Sequence, residues 1–164
     1  MSSNRVVTYI DIGLNSVEDY WSSLLVPDVK TFQSQPSPAS LFNASLAVWH
    51  LHDWTWHERY PNESSRGRKF DNYRARLLSD CPQLGWIRDV ADAGKHRGLG
   101  RLPEVKGAEP KKIGRFRGTL ALTENTLTLY LVLNDGSHAD ADIAVRTAVA
   151  FWQQQFKDKN LPTP

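Results

Sequence analysis

Hydrophobic and polar residues alternate along this chain in two rhythms, a helical one of about 3.6 residues and, in the last third, a strand-like one of two. Residues 5–14, rich in Val, Ile and Tyr, suit a short strand. Ser16, followed by acidic Glu18 and Asp19, is an N-cap signature. It opens a helix with Tyr20, Trp21, Leu24 and Leu25 inward, ended or kinked at Pro27. Polar 33–37 reads as a loop. Ser37-Pro38 then starts a long helix over 38–60, apolar on nearly every face and therefore central. After a polar loop at 62–67, a third helix is expected over 69–80, with Phe70, Tyr73, Leu77 and Leu78 turned inward. A fourth follows over 82–96 and is stopped by Gly98 and Gly100.

Pro103, Gly107, Pro110 and Gly114 predict an irregular, mobile loop over 101–115. Leu120 and Leu122, then Leu127, Leu129, Leu131 and Leu133, alternate with mostly polar residues across Glu124-Asn125, which predicts a β-hairpin. Residues 134–137 form a turn. Asp140 or Asp142 caps a last helix with Ile143, Ala144, Ala148, Phe151, Trp152 and Phe156 inward. The order implies an α+β fold, mainly α: about five bundled helices with a β-hairpin before the C-terminal one. The 164 residues read as a single domain, with an arm or strand at 1–14, a bundle at 16–96, a basic loop at 97–118, a hairpin at 119–137 and a helix at 140–158.

Six tryptophans lead us to expect an aromatic-rich core that includes Trp21, Trp49, Trp54, Trp56 and Trp86. The single cysteine, Cys81, excludes an internal disulfide and a cysteine zinc finger, and reads as a buried small hydrophobe rather than a nucleophile. The first residues lack the pattern of a signal peptide, and no apolar run approaches the length of a membrane span. A cytoplasmic protein with no membrane partner is therefore expected, and the Asn-x-Ser tripeptides at Asn43 and Asn62 imply no glycan.

The net charge of +2 is unevenly spread. Segment 66–117 holds 14 Lys and Arg against 6 Asp and Glu, a net of +8, and the remainder is correspondingly acidic at −6. A basic middle could attract a polyanion such as RNA, or a protein partner, with Arg66, Arg68, Lys69, Arg97, Arg101, Lys111 and Lys112 as contact candidates. Its other reading is a basic solvated surface beside acidic neighbours.

Two polar stripes carry the candidate chemistry. On the long helix, Asn43, His50, Asp53 and His57 share one sector of the wheel, bordered by Phe42, Trp49 and Trp54. The fourth helix repeats the spacing with Asp89, Asp92 and His96, opposite an apolar arc. If the stripes faced each other, His50, Asp53, His57, Asp92 and His96, with Asp89 alongside, could hold a divalent Zn, Mn or Fe ion between helices. Neither half contains a His-Glu-x-x-His or Glu-x-x-His motif, and either stripe can equally be a solvated face.

The segment Ile87-Arg88-Asp89-Val90-Ala91-Asp92-Ala93-Gly94-Lys95-His96 resembles the signature of the HEPN family, small helical bundles many of which are RNases in toxin–antitoxin and defence systems. That signature is an arginine, a polar residue after it, and a histidine further along the helix. The resemblance implies Arg88, Asp89 and His96 as catalytic residues of metal-independent RNA cleavage, and a homodimer that brings two motifs together. Arg88 and His96 are further apart than the family usually has them, about 80° on a regular helix. Three functions therefore stand open: a non-catalytic interaction or accessory protein, which leads; an RNase or toxin; and a metal-binding bundle.

Overall fold

A computed structural model describes residues 13–95, 101, 103–115, 124–159 and 161–164, the side chains of 95, 112–115 and 124–127 excepted. Its first helical run, α1, joins an α-helical turn Val17–Tyr20, a π-helical turn Trp21–Leu25 and an α-helix Val26–Ser34. The Ser16 hydroxyl accepts the Asp19 N–H at 3.0 Å, and the Asp19 carboxylate accepts the Asn15 N–H, which satisfies donors that a helix start leaves open. Pro27 does not end this helix. In the π turn the Val26 N–H reaches back five residues to the Trp21 carbonyl, and the wider turn makes room for the proline ring.

Helix α2, Pro38–Arg59, opens on a reciprocal capping box between Ser37 and Ser40. Leu41, Ala44, Ala47, Val48, Trp49, Leu51 and Trp56 are buried along it, so it is the central element that its pattern predicts. Gly67, at φ +91°, turns the chain into α3, Arg68–Asp80; a side chain there would be strained. Helix α4, Gln83–Lys95, buries Leu84, Ile87 and Ala91 against α2. Near its end Gly94 lies so close to the Phe42 ring that a Cβ would overlap it. The C-terminal end of α4 therefore sits beside the start of α2.

Strand β1, Val105–Arg115, pairs antiparallel with β2, Glu124–Leu133, and β2 with the short β3, His138–Asp140, in the order β1-β2-β3. Val105 lies opposite Leu133, Pro110 opposite Leu129 and Arg115 opposite Glu124. Asp140 caps the last helix, α5, Ala141–Gln155, by accepting the N–H groups of Asp142 and Ile143. Leu129 and Leu131 of β2, with Val145, Ala148 and Trp152 of α5, join residues of α1, α2 and α4 in one core. The Trp152 indole N–H reaches the Val48 carbonyl at 3.1 Å and ties α5 to α2.

The α+β class, with five helices among the described residues and an antiparallel sheet before the last of them, is as the pattern predicts. Three local expectations are corrected. The basic loop over 101–115 is largely strand: β1 lies at the sheet edge, where Pro110 needs no N–H partner on its outer side, and its exposed residues 106–111 hide the usual alternation. The hairpin accordingly joins β1 to β2 rather than pairing across Glu124-Asn125; Leu120 and Leu122 lie outside the described residues, as do residues 5–12 of the expected first strand. Leu24 and Ile143, expected inward, are exposed at 37% and 56%. The π turn rotates the buried face of α1 onto Val26, Val29 and Phe32, and on α5 Val145 and Val149 take the inward positions.

Candidate functional site

The α4 stripe resolves into a structural clamp. Asp89 is 2% exposed and accepts the backbone N–H groups of Glu104 and Val105, at 2.5 and 3.2 Å, where β1 begins. Arg101 brings Nη1 to 2.5 Å from the same carboxylate and Nη2 to 3.0 Å from Asp92. Arg88, with a side chain only 13% exposed, lies 3.4 Å from Asp89. A buried carboxylate is tolerated only with this kind of compensation, and here it fastens the sheet to the bundle. The residues expected to act on RNA, Arg88 and Asp89, are thus turned on each other and on β1; His96 lies outside the described residues.

His57, at the far end of the α2 stripe, is not brought to that clamp. Phe42 meets Gly94 near the end of α4, and His57 lies fifteen residues further along α2, about 22 Å away along its axis. His57 is exposed, and His50 and Asp53 are half-buried. Among the described residues no group of three or more His, Cys, Asp or Glu side chains is placed to hold a metal ion, so the set of His50, Asp53, His57 and Asp92 is not assembled. Cys81 is buried and its thiol is pushed up by desolvation, as its reading as a small hydrophobe requires.

The α2 imidazole that is fully buried is one the wheel pattern passes over. His52, 4% exposed, stacks on Trp49 with ring centroids 4.2 Å apart and on Phe70 of α3 at 5.6 Å. Its Nδ1 lies 2.6 Å from the Trp49 carbonyl. Desolvation pulls its pKa below the ordinary value, against the opposing charge of Asp53. Arg74 also packs on this aromatic group, 5.3 Å from the Trp49 ring and 5.7 Å from Phe70.

Trp56, Phe70 and Tyr73 continue the aromatic layer between α2 and α3, and at its edge a cleft of about 320 Å³ opens. Trp56, Tyr60 and Tyr73 form its aromatic side; Lys69, Asn72 and Arg76 form its polar side, with Glu63 at the rim. Tyr60, 43% exposed, leans on Trp56 with centroids 4.5 Å apart. The Trp56 indole N–H is buried and has no acceptor among the described residues. Burial pushes the Tyr73 phenol up to about 12. A larger cleft of about 470 Å³, where His57 lies, is charge-compensated: Lys159 bridges Glu18 and Glu58 at 2.5 and 2.6 Å.

The basic candidates divide. Arg66, Arg68 and Lys69 are exposed, as is Arg76, which the contact set omits. Arg101 is held by Asp89 and Asp92, and Lys111 sits over the Tyr130 ring at 4.9 Å. Arg97 and the side chain of Lys112 lie outside the described residues. On α3, Arg68, Asn72, Arg76 and Lys69 span about 100° of the wheel, with Asp71 about 60° beyond Arg68 at one border and Asp80 about 20° beyond Lys69 at the other. Tyr60 had no signal of its own in the sequence, because the cleft exists only once α2 and α3 meet.

Comparison with known proteins finds no match among family models, curated proteins or solved structures.

Proposed function

We propose that this chain is a non-catalytic accessory protein that binds nucleic acid by its phosphate backbone, through the basic face of α3. The observation that carries this reading is the exposed sector of Arg68, Lys69, Asn72 and Arg76, continued by Arg66 in the preceding loop. Lys69 pairs with Glu63 at 2.5 Å, but both side chains are exposed, at 75% and 42%. Such a pair is weak in water, so the lysine can exchange Glu63 for a phosphate. Two of the three residues expected to act on RNA are otherwise engaged, Asp89 with the start of β1 and Arg88 with Asp89, which favours binding over cleavage.

The test is the affinity of a fluorescently labelled oligonucleotide measured across salt concentrations. Log affinity falls linearly with log salt, by roughly 0.7 per phosphate contacted on a single strand, and about three contacts give a slope near −2. The double variant Arg68→Glu/Arg76→Glu weakens binding at least about tenfold at low salt and flattens the slope, with its helical circular dichroism retained. A variant that binds as the wild type does would remove α3 from the interface.

A further inference from the structure

The geometry points to the α2/α3 cleft as a receptor for one unpaired nucleobase, which deepens the phosphate-binding reading above and rests on it. The cleft unites an exposed aromatic surface with cations. Tyr60 leaves 43% of its surface open while its ring is backed by Trp56 at 4.5 Å, so it is braced rather than free to collapse. Lys69 and Arg76 line the same cleft. A stacked base extends from a sugar-phosphate chain, so an aromatic platform next to cations matches the two halves of one nucleotide. A buried aromatic cluster alone would suit any apolar group, and basic residues alone any polyanion; their adjacency selects a strand that carries both.

The cleft's remaining polar groups fit the edge of a base. Among the described residues the Trp56 indole N–H and the Tyr73 hydroxyl are buried without a hydrogen-bond partner, and the Asn72 amide offers both a donor and an acceptor. A base inside a duplex is stacked on its neighbours and cannot enter, so the receptor selects single strands. An acidic protein segment would satisfy Lys69 and Arg76 but would leave the rings unused.

Four probes of equal length separate these cases: a base-bearing single strand, the same strand made abasic, a duplex, and poly-glutamate. The wild-type chain binds the base-bearing strand about tenfold more tightly than the abasic one, as one stacked base provides. Tyr60→Ala removes that preference while leaving abasic binding unchanged, and Tyr60→Phe keeps it. Equal binding of base-bearing and abasic strands by the wild type overturns the base receptor but leaves the phosphate face standing. A preference that survives Tyr60→Ala overturns the location. Poly-glutamate bound as tightly as the base-bearing strand assigns the surface to acidic protein and overturns the inference, and no binding to any nucleic acid removes both readings.

Discussion

At the scale of single residues, His52 shows how burial sets chemistry. Its ring lies between Trp49 and Phe70, and desolvation, the largest influence on it, favours the neutral imidazole. Arg74 and His50 push the same way, while Asp53 and the Trp49 carbonyl oppose them. In the unfolded chain the ring titrates near the ordinary imidazole value of about 6.5, and in the folded chain below it. Between those two values the unfolded state binds more protons. The stability tied to neutral His52 is therefore complete above about pH 6.5 and is lost as pH falls through the folded value. Urea unfolding at about pH 7.5 and about pH 5 should show the wild type weakening on acidification, and His52→Phe, which keeps an aromatic ring in the stack, weakening less. Equal losses in both proteins would place the acid sensitivity elsewhere.

At the scale of elements, the clamp at Asp89 decides whether β1 stays docked. Asp89→Asn keeps the volume and one oxygen for the Glu104 and Val105 N–H groups, which both use Oδ2, but it removes the charge that balances Arg88 and Arg101 and puts an NH2 group where Oδ1 faces them. Breaking one side of a buried ion pair costs about 3–5 kcal/mol. We expect a fall of that order in unfolding free energy, and faster amide exchange at Glu104 and Val105 than in α2. Uniformly faster exchange would mean that Asp89 supports the whole molecule rather than this junction. What the sequence disclosed follows the same division. Helix starts at Ser16, Ser37 and Asp140 were legible because a cap is a local chemical event, made within three residues. Strand β1 was not, because Gly107, Pro110 and Gly114 favour no strand by themselves, and the pairing with β2 that makes them one is non-local. The charge excess of 66–117 was visible as composition, whereas the cleft needed Tyr60 and Arg76, on different elements, to be brought together.

At the scale of the whole molecule, the described ends of the chain are fastened by two devices of different strength. Lys159 bridges Glu18 of α1 and Glu58 of α2, and this contact lowers the Glu18 pKa while raising that of Lys159. All three side chains remain between 27% and 46% exposed, so solvent screens the charges and the bridge contributes no more than about 1 kcal/mol. Two residues further on, Leu161 packs on the core, and the fully buried Trp21 donates its indole N–H to the Pro162 carbonyl at 2.7 Å. Losing that acceptor exchanges the indole's hydrogen bond for one to water, a net loss of about 0.5–1.5 kcal/mol, and uncovers the apolar surface that Leu161 covers. Burial should therefore outweigh charge. In urea unfolding, Lys159→Met should stay within about 1 kcal/mol of the wild type, whereas removal of residues 160–164 with Lys159 intact should cost about 2 kcal/mol or more. Trp21 fluorescence, isolated by comparison with Trp21→Phe, should shift to longer wavelength in the shortened chain alone, since only there does the indole meet water. If the methionine variant is the less stable of the two, the ion bridge is what joins α1 to the C-terminal segment, and the indole contact is merely adjacent to it.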